Sequence, residues 1–125
     1  MRQIIQTDDA PAAIGPYSQA VRAGDLVFVS GQIPLDPAGE ALVGDTPAEQ
    51  AAQCMRNVAA VAQAAGTSLA NAVRLTIFTT ELGAFAEINE VYGGFFGDDP
   101  PSRAAVGVAA LPKGALVEID AVLLA

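Results

Sequence analysis

Two side chains near the end of the chain have the types and spacing to do chemistry. Residues 100–122 read PPSRAAVGVAALPKGALVEIDAV, with Arg103 in the first half and Glu118 in the second. A guanidinium holds a planar anion through two parallel hydrogen bonds, and a carboxylate accepts a proton from water. On apolar strands neither charge is cheap to bury alone, so each needs a partner, a solvent-facing side or a ligand. The stretch predicts a hairpin. One strand covers 102–111, a turn holds Pro112, Lys113 and Gly114, and a second strand covers 115–124. Folded symmetrically about Lys113, this hairpin sets Glu118 opposite Val108. Five residues of strand then separate it from Arg103 by roughly 16 Å. Within one chain the two charges would not meet. Across a subunit interface they could, or each could serve a pocket of its own.

Composition narrows the remaining chemistry. The chain has 125 residues and no histidine. That excludes Ser-His-Asp and Cys-His triads and most zinc sites. Its single cysteine, Cys54, forms no internal disulfide, and a reducing cytoplasm is the simplest compartment. Cys54 also falls inside a helical apolar stripe, where a small core residue belongs. Fourteen acids against six bases give a net charge of -8, which disfavours nucleic acid and anionic membranes as partners. No apolar run reaches the roughly 18 residues of a membrane helix, and the acidic start MRQIIQTDD does not read as a signal peptide. One domain spans 1–125. At 52% hydrophobic, so small a domain is expected to bury one face in a homo-oligomer.

The elements that must position Arg103 and Glu118 follow in order. Residues 14–23 predict a strand with Tyr17, Gln19 and Val21 on one face. Gly24-Asp25 turns the chain into a second strand, LVFVS at 26–30, apolar enough to be covered on both faces. It ends in Ser30-Gly31. Gly31 either lets the backbone approach something closely or turns the chain, and the Ser30 hydroxyl suits a backbone bond. Thr46-Pro47-Ala48-Glu49 forms a capping box for a helix to about Ala65, which Gly66 stops. Ala51, Met55, Val58, Ala59 and Ala62 make its buried stripe, while Arg56, Asn57 and Gln63 face outward. Residues 71–80 alternate as a strand. A second helix over 84–95 buries Phe85, Ile88, Tyr92 and Phe95, with the Asn89 amide at the stripe's edge. The order β-β-α-β-α-β-β predicts an α+β fold, a mixed sheet with both helices on one face. Nothing in the chain covers the other face, which again points to packing between subunits.

Three segments carry a resemblance that spans nearly the whole chain. IGPYSQAV at 14–21, VSGQIPLDPAGE at 29–40 and the stretch at 100–122 resemble the Rid family of reactive intermediate deaminases, most closely its RidA branch. The resemblance implies a chorismate-mutase-like fold and a homotrimer with clefts between subunits. It implies hydrolysis of 2-aminoacrylate, 2-iminopropanoate and 2-iminobutanoate to 2-keto acids and ammonia, without cofactor or metal. Such imines escape from pyridoxal-phosphate dehydratases acting on serine or threonine, so the activity protects pyridoxal-phosphate enzymes. By the same resemblance Arg103 takes the substrate carboxylate, Glu118 handles water, and Tyr17, Ser30, Gly31 and Asn89 line the cleft. One position departs: Ala105 stands where the family commonly has cysteine. There the family uses mainly backbone, so activity is expected to survive and any thiol role is excluded. The competing expectation is a trimer that binds 2-keto acids through Arg103 without turnover. Some relatives have been credited with ribonuclease or chaperone-like activity, and the net charge of -8 counts against RNA.

Overall fold

A computed structural model describes residues 1–125. Its strands are β1 (Arg2–Ile5), β2 (Ala20–Ala23), β3 (Leu26–Gln32), β4 (Ala72–Thr79), β5 (Ser102–Gly107) and β6 (Val117–Leu124). Its helices are α1 (Pro47–Ala64) and α2 (Phe85–Gly93). The six strands form one mixed sheet in the order β1-β2-β3-β6-β4-β5. Both helices pack on one face, as expected. Met55, Val58 and Val61 of α1 and Ile88 of α2 join Val27, Leu75, Ile77, Val117, Ile119 and Leu123 of the sheet in one buried core.

α1 begins where its capping box places it. The Thr46 hydroxyl accepts from the Glu49 amide at 3.2 Å, and the Glu49 carboxylate accepts from the Thr46 amide at 3.2 Å. Beyond the helix, Gly66 takes φ +83, a conformation that favours glycine. Asn57, expected outside, is instead buried at 1% exposure. Its amide donates to the carbonyls of Ile33 and Leu35, and its oxygen accepts from Gln53. The loop after β3 has carbonyls to satisfy beneath α1, and these amides supply the donors.

The chain ends of the sheet depart from the expected pattern. β1 is an additional strand, paired antiparallel with β2 at the sheet edge; only Ile5 of its four residues is buried. The strand expected over 14–23 shortens to β2, with Gln19 just before it. The Gln19 side chain accepts from the Thr7 amide and donates to the carbonyls of Thr7, Ala10 and Pro11, fastening the N-terminal loop to the sheet.

The expected C-terminal hairpin does not form. β5 runs parallel to β4, with Leu75 opposite Arg103 and Ile77 opposite Ala105, so β4, α2 and β5 make a crossover unit. β6 lies between β3 and β4, antiparallel to both. Val117, Ile119, Ala121 and Leu123 are buried, and a strand with four such residues belongs in the sheet's interior. Lys113 (φ 59) and Gly114 (φ 72) turn the connecting segment. The face away from the helices carries Glu118, Asp120 and Val122 of β6 beside Phe28, Thr76 and Phe78. Phe28 is 46% exposed there.

Candidate active site

The residues singled out in the sequence fall into two groups on opposite faces of the sheet. Directly paired residues share a face. Arg103, paired with buried Leu75, therefore lies on the helix face, and Glu118, paired with Phe78, lies on the open face. Through these registers the two backbones are three residues apart along the sheet and two strands apart across it. That is about 14 Å. The separation resembles the sequence-based figure, but its cause is strand order and not a hairpin.

The Glu118 group gathers Tyr17, Ser30 and Gly31. A cavity of about 280 Å³ is lined by Tyr17, Gly31, Pro112 and Glu118 together with apolar Ile14, Ile33 and Leu35. A second depression beside it adds Ser30 to Tyr17, Gly31, Pro112 and Glu118. Gly31 is needed here for space. A Cβ at that position would run into the Glu118 carboxyl, 2.9 Å from its Cδ. The Ser30 hydroxyl donates to the Ser18 carbonyl at 2.6 Å, and the Ser30 amide donates to Gln19. Ser30 thus pins the segment that carries Tyr17. The Tyr17 hydroxyl accepts from the Ile14 amide at 3.4 Å. Partial burial pushes the Glu118 carboxyl above its ordinary range, and the like charge of Asp120 on the same face adds to the rise. A carboxylate held this way is a stronger base than an exposed one.

The Arg103 group is built from β5 and α2. Arg103 is exposed, and its Nη1 donates to Asn89 Oδ1 at 2.6 Å. The guanidinium carbon stands 5.1 Å from the ring centroids of both Phe85 and Tyr92. Ala105 lies two residues on, on the same face and also exposed. Asn89, itself exposed, is therefore a partner of the arginine. Phe85 and Tyr92 were expected only as core. Their spacing with Asn89, at positions 85, 89 and 92, puts all three on one side of α2, which is the signal that could have linked them to Arg103.

Cys54 is fully buried, and its Sγ donates to the Val117 carbonyl at 3.5 Å. Burial pushes its thiol well up, with the Glu118 charge adding to the effect, so it is a core side chain and a poor nucleophile. No three Cys, Asp or Glu side chains converge as a metal ligand set. No helix is long and apolar enough to cross a membrane.

The family described as endoribonuclease L-PSP matches residues 7–124. The chain belongs to this family, the Rid proteins. It is 54% identical over 123 residues to RutC family protein y4sK of Sinorhizobium fredii, covering 98% of each chain. It is 45% identical over 122 residues to the 2-iminobutanoate/2-iminopropanoate deaminase of Bos taurus, covering 98% of this chain and 89% of that one. The crystal structure of RidA from a Psychrobacter species superposes with TM-score 0.94 at 46% identity, covering 98% of this chain and 99% of that one. The Rid fold expected from the sequence is thus the fold observed.

Proposed function

We propose that this Rid protein is a hydrolytic deaminase of 2-imino acids. It converts 2-aminoacrylate and 2-iminopropanoate, and 2-iminobutanoate, to 2-keto acids and ammonia. Its cleft forms between subunits of a homotrimer, where Arg103 of one subunit faces Glu118 of the next. The observation that carries this reading is the division of the site. A carboxylate-binding fork lies on the helix face and a desolvated base on the open face, about 14 Å apart, and each group lacks the other's chemistry. The open face supports the assembly, because Phe28 is 46% exposed on it within one chain. A neighbour packed there covers Phe28 and brings its own arginine toward Glu118.

The chemistry needs only these groups. The Arg103 fork holds the substrate carboxylate and fixes its plane. 2-Aminoacrylate first takes a proton from solvent on its terminal carbon, its C=C bond becoming the C=N of an iminium; water then adds to the carbon of the protonated C=N bond while Glu118 takes the water's proton. The resulting carbinolamine accepts that proton on nitrogen. Its C–N bond then breaks, the C–O bond becomes C=O, the hydroxyl proton returns to water or Glu118, and ammonia leaves. Backbone amides near Gly31 and Ala105 orient the substrate without adding a nucleophile. Because uncatalysed imine hydrolysis is already easy, positioning supplies most of the rate. The activity lies in the cytoplasm and spares pyridoxal-phosphate enzymes from the imines that some of them release. Nucleic acid is not a partner, on 14 acids against six bases.

The test is loss of the imine signal from freshly generated 2-aminoacrylate, with sedimentation of the same sample for subunit number. Acceleration by wild type that Arg103→Ala abolishes supports the deaminase. No acceleration by a folded trimer that still binds 2-oxobutanoate would replace it with the non-catalytic binding protein.

A further inference from the structure

The side of α2 that faces β5 does more than close the core. Resting on the deaminase reading above, we propose that Phe85 and Tyr92 are positioning residues for the substrate carboxylate. They hold the Arg103 guanidinium as a planar, ready-made fork before any ligand arrives.

Arg103 is exposed, and an exposed arginine ordinarily moves among many rotamers. Binding a ligand then has to freeze it, which weakens affinity. Here the freezing has already happened. The guanidinium carbon lies over two ring faces, each 5.1 Å from the centroid, inside the range in which a cation is attracted to an aromatic face. Asn89 takes Nη1 at 2.6 Å and fixes rotation within the plane. Nε and Nη2 are left to donate to the two oxygens of a carboxylate. A helix presents positions 85, 89 and 92 on one side, so one rigid element supplies all three restraints.

Tyr92 carries a second observation. Its hydroxyl is buried and has no hydrogen-bond partner, an arrangement that costs stability. With no bond made by the hydroxyl, what Tyr92 offers Arg103 is its ring face. Ile88, on the same helix and fully buried, touches the core but is not stacked on the guanidinium, and so serves as the structural control.

The substrate carboxylate keeps its charge from ground state to transition state. Loosening its holder therefore raises KM more than it lowers kcat. Phe85→Leu keeps an apolar side chain and removes the ring. We expect about a tenfold rise in KM for the imino acid and in Kd for 2-oxobutanoate, with kcat within about twofold. Phe85→Tyr restores both constants, since it restores a ring face. Tyr92→Leu repeats the Phe85→Leu loss. The neutral 2-oxobutanamide, which has no carboxylate, binds all variants alike. Ile88→Val lowers the melting temperature without moving KM.

The measurement is calorimetric Kd alongside steady-state kinetics on folded trimer. Unchanged Kd in Phe85→Leu overturns the proposal, as does an equal loss in Phe85→Leu and Phe85→Tyr, which would mark a packing effect. Wild type that binds 2-oxobutanoate but does not turn over imine overturns the deaminase reading and leaves the Kd comparison decisive for the fork. Wild type that binds no 2-keto acid overturns both.

Discussion

Arg103 stands exposed on an edge strand, steadied by side chains of a helix. Glu118 stands part-buried on an interior strand, with the backbone of Gly31 against its carboxylate. The difference fits the roles proposed for the two groups. A guanidinium is charged at any working pH and gains nothing from desolvation, so its requirement is a fixed direction. A carboxylate is a weak base in water, and removing water strengthens it. Its requirement is an enclosed place with room for one reactant. Two rings and an amide meet the first need, and a glycine beside an apolar cavity meets the second.

Glu118→Gln tests the base half most severely. It removes the proton acceptor while keeping shape, and kcat should fall roughly a hundred- to ten-thousand-fold. Kd for 2-oxobutanoate, measured by calorimetry, should stay where it was. Loss of both together would merge the halves into a single binding unit. The same variant has a stability signature. Burial raises the Glu118 pKa in the folded state, so the folded protein holds this proton more tightly than the unfolded chain does. Stability is then lost as pH rises from the ordinary carboxylate range through the raised value. Glu118→Gln should therefore raise the melting temperature at neutral pH and leave it unchanged in acid.

Arg103→Lys tests the direction half. The charge survives and the fork does not, so KM should rise about ten- to a hundredfold with a smaller fall in kcat. An unchanged KM in steady-state assays would mean that charge suffices and that orientation is set elsewhere. Gly31→Ala comes next. Its Cβ pushes the Glu118 carboxyl out of place, and kcat should drop about tenfold while the melting temperature moves by only a few degrees. The smallest effect belongs to Asp120→Asn. Removing the like charge lowers the Glu118 pKa, so the acid limb of the kcat profile should move to lower pH. A limb that stays put would assign the raised pKa to burial alone.

What could be read from residue order was mostly local. Thr46, Pro47 and Glu49 announced α1, and the alternation through Val73, Leu75 and Ile77 announced β4. Those signals act within a few residues. Strand pairing does not, and the sequence offered Pro112-Lys113-Gly114 as a hairpin turn when it is a bend between strands that do not pair. The same error hid the facing of the two charges, since face depends on which strand lies alongside. Arg103 and Glu118 stood out by type, because charges on apolar strands are rare whatever the pairing. Phe85 and Tyr92 did not stand out, because an aromatic stripe on a helix has the same spacing whether it packs a core or flanks a cation. Asn57 was misread for a related reason. Its carbonyl partners at Ile33 and Leu35 lie in a loop whose course no local pattern reveals.

The position of β6 sets the timing of folding. It follows β3 and β4 in the chain yet lies between them, so those two strands cannot join until it has been made. While the ribosome is still short of residue 117, β3 and β4 have no shared neighbour and the apolar side of α1 has no completed sheet to rest on. Pairings this distant in sequence form slowly, and unfinished sheet edges invite aggregation. Glu118 sits at the start of that strand. The proposed base and the middle of the sheet therefore arrive together, and no partial chain displays the Glu118 half of the site before the sheet can close.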